Sequence, residues 1–181
     1  MAISTKISHA DLLAFPEDGM RREIVDGDLF VTPSPLANHQ ATLLNLAVAL
    51  QKYLENHPIG MLYIAPLDVI LSEFDVLEPD LLFVRNENLR IVKDWVRGAP
   101  DLVVEILSPT TAGRDRGVKL KAYARFGVRE YWIVDLEERV VEVYQLTPDG
   151  YELGHRIAAG GTVTSPLLPD FSLSVSHLFP S

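Results

Sequence analysis

Two segments of the chain, PDLLFV (79–84) and PDLVVEIL (100–107), are apolar almost from end to end. A strand with one face in water alternates apolar and polar residues, whereas a strand covered on both faces does not. Both runs therefore read as interior strands of a sheet packed on each side. Glu105 breaks the pattern: it sits inside Leu102-Val103-Val104-Glu105-Ile106-Leu107. An ionised carboxylate there is costly unless it is paired or binds a metal.

The flanking sequence supplies the covering layers. Residues 10–18 read as a short N-terminal helix. Arg22 to Thr32 read as a hairpin, because Asp26-Gly27 is a two-residue turn signal between EIV and DLFV. TPSP (32–35) breaks the pattern, and 38–57 then read as the longest helix. Leu43, Leu46, Ala47, Leu50, Tyr53 and Leu54 share one face of it, with His39 in its first turn and Asn38 as the expected N-cap. Residues 61–71 read as one strand with a proline irregularity, and 115–126 as a helix closed by Gly127. EYWIVD (130–135) and RVVEVYQL (139–146) form a hairpin, with short strands after Pro148-Asp149-Gly150. This order predicts an α/β fold in the α+β mixed-sheet sense: a central mixed β-sheet flanked by helices, an N-terminal hairpin and a C-terminal β extension. No repeat or linker divides it, so a single domain over 1–181 is expected.

Composition narrows the function classes. A chain of 181 residues suits one domain, and 48% apolar residues are too many for a disordered protein. The absence of cysteine excludes disulfides, thiolate zinc sites and cysteine nucleophiles. The opening MAISTKISHADLL lacks the pattern of a signal peptide, and no apolar run approaches the roughly 18 residues of a membrane span. A cytoplasmic protein without a membrane partner is the expectation. With 16 Lys+Arg against 25 Asp+Glu the net charge is −9, so nucleic acid would have to bind at a local basic patch.

Three residues carry the chemistry. Glu105 is either a metal ligand or a structural charge, paired or near solvent at a strand end. Asp80 opens the strand LLFV after Pro79 and is the better partner for Glu105. The rival, Asp101, is four residues from Glu105, about 13 Å along a strand, too far to share one ion. Lys119 falls in the apolar arc of its helix with Ala122, Tyr123 and Phe126, while Lys121 and Arg125 point away. It either faces an inward carboxylate or forms an i,i+4 pair with Asp115. Two carboxylates and a lysine suit metal-assisted hydrolysis: Mg²⁺ takes oxygen ligands and acidifies a bound water, and the lysine offsets charge on the transition state. The segment 114–129 holds Arg114, Arg116, Lys119, Lys121, Arg125 and Arg129 against Asp115 alone. It reads as the local basic patch, with Arg114, Arg116 and Lys121 as candidate phosphate contacts, or else as a solvated helix face.

EPD (78–80), PDLVVEILSPTT (100–111) and DRGVKLKAYARFGVREYWIVD (115–135), after EIVDGDL (23–29), resemble the Uma-type, restriction-endonuclease-like proteins of the PD-(D/E)XK nuclease superfamily. The resemblance runs from about Glu23 to Leu146. It implies a restriction-endonuclease-like core over about 22–146 and a Mg²⁺- or Mn²⁺-dependent endonuclease acting on DNA. By resemblance Asp80 and Glu105 are metal ligands, with the Ile106 carbonyl as a further one. The superfamily's lysine belongs two positions after Glu105, where this chain has Leu107, and in this family the role passes to the following helix and Lys119. Glu23 corresponds to an additional N-terminal acid that orients water or holds a second ion; its other reading is an exposed charge at a strand start. His39 matches a recurring family histidine, and its expected place is the hydrogen-bonded core. Ser108, Thr110 and Thr111 either contact phosphate or, the preferred reading, cap the next helix.

Cutting a duplex needs two active sites, so a homodimer is expected by analogy. The rival to a nuclease is a nucleic-acid-binding or assembly module of the same fold without catalysis, motivated by the acidic balance and by Leu107. A carboxylate-pair glycosidase ranks last, since 8% aromatic residues is few for a sugar cleft.

Overall fold

In the computed structural model, residues 6–16 and 18–180 are described. A short helix α1 (His9–Leu13) precedes the hairpin β1 (Arg21–Val25) and β2 (Asp28–Thr32), whose turn places Asp26 and Gly27 at positive φ. Helix α2 (Ala37–Asn56) follows, then β3 (Gly60–Ile64), β4 (Val69–Ser72), β5 (Asp75–Leu77), β6 (Leu81–Arg85), β7 (Val96–Arg97) and β8 (Leu102–Ile106). A helical stretch over 112–126 comprises α3 (Ala112–Arg114), a π turn (Asp115–Lys119) and α4 (Leu120–Phe126). It ends on Gly127 in the left-handed region, φ 87°, as a C-cap glycine allows. Strands β9 (Glu130–Asp135), β10 (Val140–Thr147), β11 (Gly150–Ile157), β12 (Thr162–Ser165) and β13 (Leu168–Ser174) complete the chain.

The main sheet is six-stranded and mixed, in the order β11-β10-β9-β8-β6-β3, with β8 parallel to β9 and antiparallel to β6. A second sheet has the order β2-β1-β5-β4-β7, and β12 pairs with β13. The two apolar runs are neighbouring interior strands, and their side chains divide between two cores. Leu81, Phe83, Leu102, Val104 and Ile106 face α2 and the C-terminal β extension. Leu82, Val84, Val103 and Leu107 face α4 and strands of the second sheet. Each core needs one half of each run, which is why alternation is missing from both. Glu105 belongs to the second set, between Val103 and Leu107, and so points toward the helical stretch over 112–126.

Three expectations are corrected. The 61–71 segment is two strands in different sheets, β3 and β4. Pro66 lies between them, and its lack of an N–H interrupts the ladder. Helix α2 starts from Leu36, not Asn38, whose Oδ1 instead accepts from the His39 N–H at 2.9 Å. Helix α1 stops at Leu13, before the Phe15-Pro16 step that disfavours helix. No described helix is long and apolar enough to cross a membrane.

Candidate active site

Strands β6 and β8 pair with Leu81 opposite Val104. One pair further along that register, Asp80 lies across from Glu105. Asp80 stands beyond the end of its strand, and its side chain replaces a ladder partner: the Ile106 N–H donates to Asp80 Oδ2 at 2.8 Å. His39 Nε2 meets the same oxygen at 3.1 Å, while Arg21 approaches Oδ1 at 3.5 Å. Arg21 is itself held by Glu78, through the carboxylate at 2.5 Å and the main-chain carbonyl at 2.6 Å.

Lys119 brings three segments together. Its ammonium lies 2.9 Å from Glu105 Oε1, 2.8 Å from Glu23 Oε1 and 3.3 Å from Asp115 Oδ1. It thus makes both the inward contact and the i,i+4 pair. Glu23 is buried, not exposed at a strand start, because β1 pairs with β5 and the carboxylate accepts the Glu78 N–H at 3.0 Å. The Tyr123 hydroxyl donates to Glu105 Oε1 at 2.9 Å. Among the described residues both Glu105 side-chain contacts fall on Oε1, so Oε2 is the oxygen left for a further partner.

The two facing carboxylates sit in opposed environments. Burial pushes Glu105 well above the usual range; Lys119 opposes this, and the acids Asp115, Asp80 and Glu23 reinforce it. Burial also pushes Asp80 up, but the His39 contact, the Ile106 N–H and Arg21 outweigh it and hold Asp80 below its ordinary value. Burial likewise raises Asp115 and Glu78. Lys119 moves up despite its burial, because Glu105, Glu23 and Asp115 stabilise the ammonium. Paired groups whose environments drive them apart are a mark of functional sites.

A family model described as Uma2, putative restriction endonuclease, matches residues 9–176. The chain belongs to the Uma2 family. A crystal structure of a putative nuclease belonging to DUF820, from Anabaena variabilis ATCC 29413, is similar with a TM-score of 0.80 and 20% identity, over 95% of this chain and 97% of that one. At that identity the likeness speaks for the fold, which is restriction-endonuclease-like. The type IIG restriction endonuclease BpuSI is similar at TM-score 0.42 and 17% identity, over 77% of this chain and 14% of its own, too weakly to carry an argument. No curated protein matches the sequence.

In this Uma2 chain Asp80, Glu105, Glu23, Lys119, Ile106, His39, Arg21 and Arg114 line one cavity of 310 Å³. Ile106 enters the geometry through its N–H on Asp80. Arg114 donates to Thr32 Oγ1 at 2.8 Å and lies over the Phe30 ring. The expected basic patch does not form as one face. Arg116 turns away to Asp135, at 2.9 Å, and to Glu142, and neither it nor Lys121 lines the cavity. Arg125 pairs with Asp26 and Asp75, and Arg129 approaches Asp101. These acids all lie outside 114–129, so the local count cannot include them. Asp101 sits before β8 at its other end, accepting the Arg85 N–H at 2.9 Å. Thr111 is the N-cap of α3 but makes no side-chain cap bond; the Ser108 hydroxyl instead meets those of Thr110 and Thr111, each at 3.1 Å.

Sequence reasoning missed Arg21, which nothing local distinguishes from Arg22, and the Tyr123 hydroxyl, read only as part of an apolar arc. A tyrosine on the same arc as an inward lysine was the available signal.

The donor set fits a divalent ion of the oxygen-seeking kind. Five linked carboxylates (Glu23, Glu78, Asp80, Glu105, Asp115) face three cations (Arg21, Arg114, Lys119), leaving two negative charges in excess when all are ionised. Among the described residues no three His, Cys, Asp or Glu converge on a common point. An ion here would rest on the two facing carboxylates and complete its shell with water or substrate oxygen, as Mg²⁺ does.

Proposed function

We propose that this Uma2-family chain is a Mg²⁺- or Mn²⁺-dependent endonuclease hydrolysing DNA phosphodiester bonds, its residues acting as a single restriction-endonuclease-like domain with a core over about 22–146. The observation that carries the reading is the facing pair Asp80 and Glu105, with Lys119 2.9 Å from Glu105, in one cavity. Asp80 and Glu105 would hold the ion, with the Ile106 carbonyl as a further ligand. A bound divalent ion polarises a phosphoryl oxygen and acidifies a water. Lys119, held fully charged by three carboxylates, offsets negative charge gathering on the phosphate. Glu23 fixes the ammonium from β1 of the second sheet, and Arg114 offers a guanidinium to a phosphate oxygen at the cavity wall. A homodimer belongs to this reading, since severing both strands takes two such sites.

Plasmid cleavage tests it. Wild type should cut with Mg²⁺ or Mn²⁺ and stop in EDTA. Glu105→Gln should lose more than about 100-fold, since second-shell changes alone cost 10–100-fold. Cleavage that survives EDTA, or an unimpaired variant, contradicts the reading.

One observation favours a catalytically silent nucleic-acid-binding module instead: Leu107, where the superfamily's lysine belongs, is buried, and Lys119 is already shared among three acids. Calorimetry then detects no Mg²⁺ or Mn²⁺ binding, while DNA retention falls steeply with salt.

A further inference from the structure

We propose that His39 is a positioning residue for the ion site: its imidazole fixes the rotation of the Asp80 carboxylate so that Oδ1 stays turned to the cavity. The inference rests on the metal-dependent reading above. His39 stands in the first turn of α2, is 6% exposed and borders the cavity. Its Nε2 and the Ile106 N–H both meet Asp80 Oδ2, at 3.1 and 2.8 Å. Two donors from different directions on one oxygen leave the carboxylate little freedom about its last torsion. Among the described residues Oδ1 has only Arg21, at 3.5 Å, and that guanidinium is already engaged by Glu78.

The other ring nitrogen separates this role from simple core packing. A buried polar group ordinarily finds a partner. His39 Nδ1 is buried and has none among the described residues. The side-chain hydrogen bonding of the ring is therefore spent on Asp80 alone. Asp80 is an acceptor when ionised, so Nε2 carries the hydrogen in this contact. The ring is also carried on a rigid element. Leu43, Leu46 and Leu50 seat the 20-residue helix on the main sheet, so the imidazole is placed independently of the strand end it steadies.

Mn²⁺ binding measured by calorimetry at one pH tests this with wild type, His39→Leu and His39→Gln. Leucine keeps bulk without a donor, while the glutamine amide reaches about as far as Nε2. His39→Leu should weaken Mn²⁺ binding 10–100-fold, the usual cost of losing a second-shell partner. His39→Gln should recover most of it, and DNA binding in EDTA should be unchanged in both. Wild-type affinity in His39→Leu overturns the inference and leaves the nuclease reading standing. Equal weakening in both variants also overturns it, because ring shape and not the donor would then matter. Should His39→Leu fail to fold, His39→Gln against the shorter His39→Asn makes the same comparison. A wild type that binds no Mn²⁺ overturns the inference and the nuclease reading together.

Discussion

Glu105 and Glu130 are both carboxylates buried in the main sheet, but their surroundings differ. Glu105 meets Lys119 and Tyr123. Glu130 accepts the Trp132 indole N–H at 2.5 Å, and among the described residues no cation pairs with it. Burial pushes its carboxyl up, with the Trp132 and Ser165 hydrogen bonds opposing. The native chain therefore holds this proton more tightly than the unfolded chain. Stability falls as pH rises from the ordinary carboxylate range through the raised native value. Glu130→Gln keeps the oxygen for Trp132 and removes the charge. Thermal melts should show the variant above wild type at pH 8, with the gap closing toward pH 4; a gap independent of pH would contradict this. Sequence marks both residues as acids in apolar strands. It does not mark which one has a cation, because Lys119 and Glu23 come from other segments.

At the scale of elements, Lys119 ties the 112–126 stretch to β1 and β8 through Glu23 and Glu105. Removing it leaves three buried carboxylates without their shared cation. Breaking a buried pair typically costs about 3–5 kcal/mol, and Lys119→Met should lower stability by about that much in urea unfolding. A loss below about 1 kcal/mol would mean that the cluster does not hold this helix. The inward lysine was legible because Ala122 and Tyr123 share its arc, and both are buried. The π turn over Asp115–Lys119 was not, since no residue there announces it. Nor was the fate of Arg116, whose partners Asp135 and Glu142 lie on β9 and β10. The 61–71 segment misled because apolar content continues across Pro66 while the ladder does not.

For the molecule as a whole, the two-sided burial of 81–84 and 102–106 was written in the sequence, and with it the layered mixed sheet. The register was not. A slip of one residue turns a carboxylate to the opposite face. Asp80 and Glu105 line one cavity because Leu81 pairs with Val104, a choice made by the packing of both cores together. Glu23 joins them because a second sheet sets Ile24 of β1 against Val76 of β5. The account depends on that meeting point accepting a divalent cation. A crystal soaked in Mn²⁺ and measured for anomalous scattering tests it most directly. One peak is predicted in the cavity, within roughly 2–2.5 Å of a carboxylate oxygen of both Asp80 and Glu105. An empty cavity, or manganese found only on carboxylates elsewhere on the surface, would contradict it.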